Sequence, residues 1–191
     1  MPWYRRVREA GGTLFFTLVT ENRAPLFADE ANRTLLREAF GATRLDRPFS
    51  IEAMVLLPDH LHLLMTLPEG DDDYASRLRQ VKSHFTRGYL AAGGNEQPRS
   101  ASRVAKRRRG VWQRWFWEHR IRDERDHWQH VQYILFNPVK HGYVACPHAW
   151  AWSSFAQFVR EEELKSDWYC VCDVQDCERM IDPAWAGQCE P

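Results

Sequence analysis

The sequence predicts an α+β fold built on one antiparallel sheet, and three observations carry that prediction. Apolar runs of strand period alternate with amphipathic runs of helical period, in the order strand, helix, strand, strand, helix, strand, helix. The second and third strands are separated only by a short turn at Pro58-Asp59, so they pair most simply as a hairpin. The chain of 191 residues has the length of one domain and no internal repeat.

Each element has its own justification. Arg5, Arg6 and Arg8 precede Gly11-Gly12, which reads as a turn. Residues 13–20, TLFFTLVT, are β-branched and aromatic, as a central strand requires. Residues 22–27 are a loop. Residues 29–43 form a helix with Asp29 as N-cap and Leu35, Leu36, Ala39 and Phe40 as its apolar stripe. Residues 49–57 and 60–67 are the second and third strands, and residues 68–73 are an acidic turn. Residues 73–90 form a helix with Leu78, Val81, Phe85 and Tyr89 on one face. Arg77, Arg79, Lys82, His84 and Arg87 occupy much of the rest.

Residues 93–110 read as a long polar loop, mobile without a ligand, carrying Arg103, Lys106, Arg107, Arg108 and Arg109. Residues 111–121 read as a fourth strand, with Trp115 and Trp117 packed together on one face. Residues 126–136 form a third helix that Asn137-Pro138 ends or bends. Residues 150–159 read as a short last helix. The β-α-β-β-α-β core is the ferredoxin-like, RRM-like arrangement, with two helices on one face of an antiparallel sheet and the third helix added. That fold hosts many functions, so function has to come from the site.

Composition narrows the class. No apolar run reaches the length of a membrane span, and the N-terminus lacks a signal peptide's apolar stretch, so the expectation is a cytoplasmic protein. Five cysteines fit reduced thiols better than a secreted disulfide framework. The net charge of zero hides a division. Residues 161–191 hold nine acidic and two basic side chains, a net charge of −7, which leaves +7 on residues 1–160. The expected organisation is one domain over residues 1–160 and an acidic tail over 161–191. A basic body points to a polyanionic partner. The tail either solubilises the protein or mimics nucleic acid and occupies the basic groove. Its Cys170, Cys172, Cys177 and Cys189 do not have the spacing of a standard zinc finger or ribbon.

The chemistry centres on His60-Leu61-His62. Strand side chains alternate, so His60 and His62 share one face while Leu61, Leu63 and Met65 enter a core. Two adjacent imidazoles make half of a metal site, a pair of phosphate contacts, or simply a solvated face. In the third helix Tyr133 neighbours Gln129, His130 and Asn137, whereas Trp128, Val131 and Leu135 lie on a core stripe. Polar neighbours are unusual for a core tyrosine. The bland alternative is a tyrosine at the sheet edge with its hydroxyl hydrogen-bonded.

Five segments resemble one family. Pro58-Asp59-His60-Leu61-His62 resembles the His-hydrophobic-His motif of HUH single-tyrosine transposases. Tyr133-Ile134-Leu135-Phe136-Asn137-Pro138-Val139-Lys140-His141-Gly142 resembles the catalytic-tyrosine segment of the REP-associated tyrosine transposase branch. So do the opening segment from Tyr4-Arg5-Arg6 to Thr20, Trp117-Glu118-His119-Arg120-Ile121-Arg122-Asp123, and Trp152-Ser153-Ser154-Phe155. The resemblance runs over residues 2–158 and leaves the tail uncovered.

The resemblance implies a metal-dependent single-stranded DNA endonuclease and strand transferase acting at hairpin-forming repeat palindromes, as a monomer or homodimer. Tyr133 would be the nucleophile, forming a 5′-phosphotyrosine. His60 and His62 would hold one divalent ion, Mg2+ or Mn2+, and imidazole ligands favour manganese. Asn137 stands where related transposases carry a glutamine ligand, and Asp59 and His130 are the substitutes. Arg5, Arg6, Arg8, Lys82, Arg103, Lys106, Arg107, Arg108, Arg109, Lys140 and His141 are the expected DNA contacts. Trp112, Trp115 and Trp117 offer stacking surfaces for unpaired bases.

Three other readings stand beside this one. A histidine-triad hydrolase needs a third histidine where Leu64 stands. A DNA-binding protein descended from a transposase would have no need of Tyr133, His60 and His62. An RNA-binding module on this fold would lack a recognisable RNP aromatic motif.

Overall fold

The structure is a computed structural model describing residues 11–170. Arg5, Arg6 and Arg8, and the tail beyond Cys170, lie outside the described residues. The elements are β1 (Gly12–Val19), α1 (Glu30–Asp46), β2 (Ser50–Leu56), β3 (His60–Leu67), α2 (Tyr74–Ala91), α3 (Ala101–Ala105), β4 (Trp117–Arg120), α4 (Glu124–Lys140) and α5 (Phe155–Arg160). The four strands form one antiparallel sheet in the order β2-β3-β1-β4. This is the ferredoxin-like order predicted from the sequence, with β1 central.

Local chemistry sets the helix starts. The carboxylates of Asp29, Asp73 and Asp123 accept N–H bonds from Ala31, Ser76 and Asp126, which satisfies donors that the first turn leaves over. Buried Arg77 ties α2 to the loop before it, donating to Asp71 at 2.7 Å and to the Pro48 carbonyl at 2.8 Å.

The sheet is covered on both faces. Leu14, Phe16 and Leu18 of β1 and Leu61, Leu63 and Met65 of β3 join α1 and α2 in one core. Phe15, Ala53, Val55 and Leu64 point the other way, onto Val131, Ile134 and Leu135 of α4 and Phe155 and Phe158 of α5. Alternation along β1 and β3 thus sends their two faces into two separate cores, while β2 does so across a register shift between Ile51 and Ala53. The added helix α4 lies on the face opposite α1 and α2, and that face carries the histidine pair.

Four expectations need correction. The fourth strand is shorter, because residues 114–116 leave the ladder: Trp112 makes only a bridge to Thr20, and pairing with β1 begins at Trp117. Period two therefore does not extend to Trp115, which is 62% exposed beside Arg114 and is not packed on Trp117. The polar loop holds α3, capped by Ser100, and its Glu96 pairs with both Arg99 and Arg109. Helix α4 runs through Pro138 to Lys140. Pro138 sits in the last turn and is buried, and the His141 N–H closes that turn on the Asn137 carbonyl. Residues 152–154 are not helical. They lie along the open edge of β2, with the Leu56 N–H on the Trp152 carbonyl and the Ser154 N–H on the Met54 carbonyl, covering an edge that would otherwise be unpaired.

Candidate active site

The turn at Pro58-Asp59 starts β3 on His60, with the Leu57 N–H donating to the His60 carbonyl at 2.8 Å. Register with β1 then sets Val19 opposite His60 and Thr17 opposite His62. His60 and His62 share the α4 face, their ring centroids 5.0 Å apart and nearly perpendicular. Both side chains are buried.

Each ring is held through the same nitrogen. Nδ1 of His60 lies 2.6 Å from the Asp59 carboxylate, and Nδ1 of His62 lies 2.8 Å from the Thr17 hydroxyl. These contacts leave Nε2 of each ring for a ligand, the arrangement that orients metal-binding imidazoles. Asp59 is itself fastened by the Arg23 guanidinium at 2.8 Å. Burial works to raise the Asp59 pKa, and the His60 and Arg23 contacts outweigh it, leaving the carboxyl below its ordinary value. Burial lowers the His60 pKa more than the Asp59 carboxylate raises it. Burial, reinforced by the positive fields of His60, His141, Lys140 and Arg23, pushes His62 down to about 3. Both imidazoles are therefore neutral near pH 7, the form that coordinates a cation.

Helix α4 and its C-cap bring three side chains of one stripe to this pair. Tyr133, Asn137 and His141 are each four residues apart and so share a helix face. The Tyr133 ring lies 5.2 Å from that of His62, and the His141 ring 5.3 Å from that of His60. Asn137 sits between them on the stripe. It is fully buried, and neither its amide oxygen nor its amide nitrogen has a hydrogen-bond partner among the described residues. An unpartnered buried amide costs about 1–3 kcal/mol. A cation taking the Asn137 oxygen together with two Nε2 atoms would satisfy that oxygen, so this donor set fits a divalent ion.

The substitute ligands are less well placed. Asp59 is spent on Nδ1 of His60 and on Arg23. His130 stands across Phe15 from His62, with the Phe15 ring 5.5 Å from His62 and 4.9 Å from His130. Its Nδ1 lies 2.8 Å from the Asp126 carbonyl oxygen. His119, Asp126 and His130 form a separate His/Asp cluster compatible with a metal, but the Arg122 guanidinium already donates to Asp126 at 3.0 Å.

Tyr133 is 38% exposed, at the mouth of an open cavity of about 450 Å3 lined by Phe15, Thr17, Trp117, Gln129, His130 and Tyr133. Lys140, two turns on, places its ammonium 4.6 Å from the Tyr133 ring centre. Trp117 packs edge-on against Phe15 and stacks on His119.

The other basic residues are divided. Residues 111–113 run beside the end of β1 that pairs with His60, through bonds to Glu21 and Val19. This places the Arg103–Arg109 stretch at the histidine end of the sheet. Arg103 is ion-paired with Glu21 and donates to the Trp112 carbonyl, and Arg109 is paired with Glu96. Lys106 and Arg107 are exposed and Arg108 is half-buried. Lys82 donates to the Gln113 carbonyl at 3.1 Å, and burial pushes its pKa down to about 8. Sequence reasoning missed Thr17, Arg23 and Trp117's place in the cavity. Alternation signals which face Thr17 takes, but the strand register that sets it opposite His62 has no local signal.

Comparison with known proteins gives a consistent result. No family model matches the chain. The REP-associated tyrosine transposase of Escherichia coli K12 is 40% identical over 182 residues, covering 95% of this chain and 99% of the relative. A Haemophilus influenzae protein carrying the same family name is 42% identical over 174 residues, covering 88% of this chain and 93% of the relative. Among solved structures, a REP-associated tyrosine transposase bound to a REP hairpin matches with a TM-score of 0.74 and 40% identity, covering 91% of this chain and 93% of that one. The chain belongs to the REP-associated tyrosine transposase family.

Proposed function

We propose that this protein is a single-stranded DNA endonuclease and strand transferase that cuts beside hairpin-forming repeat palindromes through a 5′-phosphotyrosine. The observation that carries the reading is the position of Tyr133, half-exposed at a cavity mouth with its ring 5.2 Å from that of buried His62. The hairpin substrate is supported by the solved relative, which is bound to a REP hairpin.

The tyrosine oxygen attacks the scissile phosphorus, and its proton passes to solvent. The phosphorus–O3′ bond breaks and the 3′ oxygen leaves as a hydroxyl after taking a proton. The phosphodiester energy is kept in the tyrosyl ester for rejoining. A phenol is a weak nucleophile near neutral pH, so the charge it develops has to be stabilised. Lys140, with its ammonium over the ring, supplies a positive field at that point. His60, His62 and Asn137 would hold one divalent ion, magnesium or manganese, which when bound polarises a phosphate oxygen. The side chains of Asp59 and Thr17 hold the two imidazoles in the orientation this needs.

Around the site, Lys106, Arg107, Arg108 and His141 contact phosphates directly in this reading. Arg103, Arg109 and Lys82 mainly shape the surface, since protein groups engage them. Trp117, exposed at the cavity rim, stacks an unpaired base.

The test is a denaturing-gel assay for a covalent protein–DNA adduct on labelled single-stranded hairpins. Wild type and Tyr133→Phe are compared with manganese and with chelator. A metal-dependent adduct that the variant lacks supports the reading. Tight hairpin binding with no adduct from any hairpin would leave a DNA-binding protein that does not cut.

A further inference from the structure

We infer that the cavity beside Tyr133 is a nucleobase pocket, in which Trp117 stacks one unpaired base of the DNA and the Gln129 amide reads the edge of that base. The pocket rests on the function proposed above and adds the residue that selects sequence. Strand register places the stacking ring. Thr17 of β1 lies opposite His62 of β3 on one side and Trp117 of β4 on the other, so the three side chains form one row on the α4 face. Two strand spacings, about 10 Å, separate the backbones of Trp117 and His62 along that row. A base on Trp117 is therefore a near neighbour of a phosphate held at His62 and Tyr133.

The cavity has an aromatic floor and two unlike walls. Phe15 is the floor. It is buried, and its ring meets Trp117 edge-on at 5.5 Å, His130 at 4.9 Å and Tyr133 at 5.8 Å. Trp117 is the β4 wall. Its ring lies parallel to that of His119 at 5.9 Å, and His119 stacks in turn on His130 at 4.7 Å. The Asp126 carboxylate holds Nε2 of His119 at 2.9 Å. Trp117 is thus braced from behind and still 53% exposed, which makes it a pre-oriented stacking surface.

The α4 wall is polar and is formed by Gln129, His130 and Tyr133. Gln129 is exposed, and no group among the described residues engages its amide. The polarity of His130 is fixed. Its Nδ1 lies 2.8 Å from the Asp126 carbonyl oxygen, which can only accept, so the neutral ring carries its proton there and Nε2 is an acceptor. No carboxylate among the described residues lines the cavity, so nothing in its lining repels a phosphate chain. Its volume of about 450 Å3 is in the range of small-ligand pockets and admits a purine.

The polar wall sets the preference. A glutamine amide makes two bonds to adenine, one with its amino group and one with the neighbouring ring nitrogen. The acceptor on His130 also favours an amino group. Thymine has no amino group. The expected order is adenine first and thymine last.

The test uses the full chain carrying Tyr133→Phe, so that binding is read without cleavage. Hairpin oligonucleotides with unpaired flanks are titrated by fluorescence anisotropy, with each flank nucleotide in turn made abasic. One position is expected to weaken binding by roughly 5–150-fold, the size of one stacked base. With Trp117→Ala added, the same abasic change should cost less than about twofold, since the partner of the base is gone. All four bases are then compared at that position. The parent should spread over roughly 5–150-fold with adenine tightest, and Gln129→Ala should flatten the spread to within about threefold. Gln129 is exposed on a helix and alanine is the better helix former, so this variant keeps the fold. An abasic scan in which no position depends on Trp117 overturns the pocket. A base preference that survives Gln129→Ala, or one that places thymine first, overturns the reading of the edge. The proposed cleavage is judged separately: the pocket signature in a wild-type protein that forms no adduct upholds the pocket and sinks only the nuclease, whereas failure to bind any hairpin overturns both.

Discussion

The Tyr133 ring stands 5.2 Å from the His62 ring, nearly perpendicular to it, while Lys140 lies over the Tyr133 ring. A phenolic oxygen at a cavity mouth is thereby joined to an imidazole pair buried behind it. Tyr133→Phe keeps the ring and its edge contacts to His62 and Phe15 but removes the oxygen. Adduct formation is expected to fall by at least about 10^3-fold, as when a covalent nucleophile is removed. Hairpin affinity and Tm should stay close to wild type. Equal cleavage by the variant would exclude Tyr133 as the nucleophile.

Asn137 separates stability from function. Its amide is buried without a partner among the described residues, so Asn137→Leu removes a desolvation cost of about 1–3 kcal/mol. In the presence of chelator the variant is expected to melt no lower than wild type. Metal-dependent cleavage should be lost at the same time. A variant that melts several degrees lower with chelator present would mean the amide has a partner in solution.

Thr17 acts through His62, since its hydroxyl meets Nδ1 and cannot reach DNA through that contact. Thr17→Val keeps the shape of the side chain and removes the bond. Loss of such an outer partner typically costs about 10–100-fold in metal affinity. Manganese titration of cleavage should show this shift in midpoint, with activity recovering at saturating metal. An unchanged midpoint would show that packing alone orients His62.

Asp126 links stability to pH. Burial acts to raise its pKa, but the contacts from His119 and Arg122 outweigh that and hold it far below the ordinary carboxylate range. The unfolded chain therefore takes up the proton first on acidification. The contribution is fully present above the unfolded value, about 3.9, and is lost as pH falls through the folded one. Asp126→Asn is expected to cost about 1–3 kcal/mol at pH 7, as for hydrogen bonds to a charged group. Urea melts should show the gap to wild type narrowing once pH drops below about 4. A gap that stays constant to pH 3 would exclude a role for the charge.

The exposed Lys106 and Arg107 bear on the salt dependence of binding. If they meet phosphates, replacing both by Ala weakens every hairpin alike and lowers the log–log salt slope by about 0.7–0.9 per lost contact. An unchanged slope would assign them to a solvated surface.

Much of this architecture follows from local pattern. Alternation along residues 60–65 by itself puts His60 and His62 on one face and Leu61, Leu63 and Met65 on the other, because side-chain direction is a property of the strand backbone. Helical period by itself separates Tyr133 from the core stripe of Val131 and Leu135, and the three aspartates mark helix starts within a turn. Other features had no local signal. The register that sets Thr17 against His62, the docking of α4 on the histidine face and the run of residues 152–154 along β2 all join segments far apart in sequence. Pro138 shows the same division: its local preference is to end the helix, and burial of the last turn keeps it helical. Period and capping depend on a few neighbouring residues. Register, docking and convergence of donors are decided by which distant surfaces bury one another best, and only the folded chain brings those surfaces into contact.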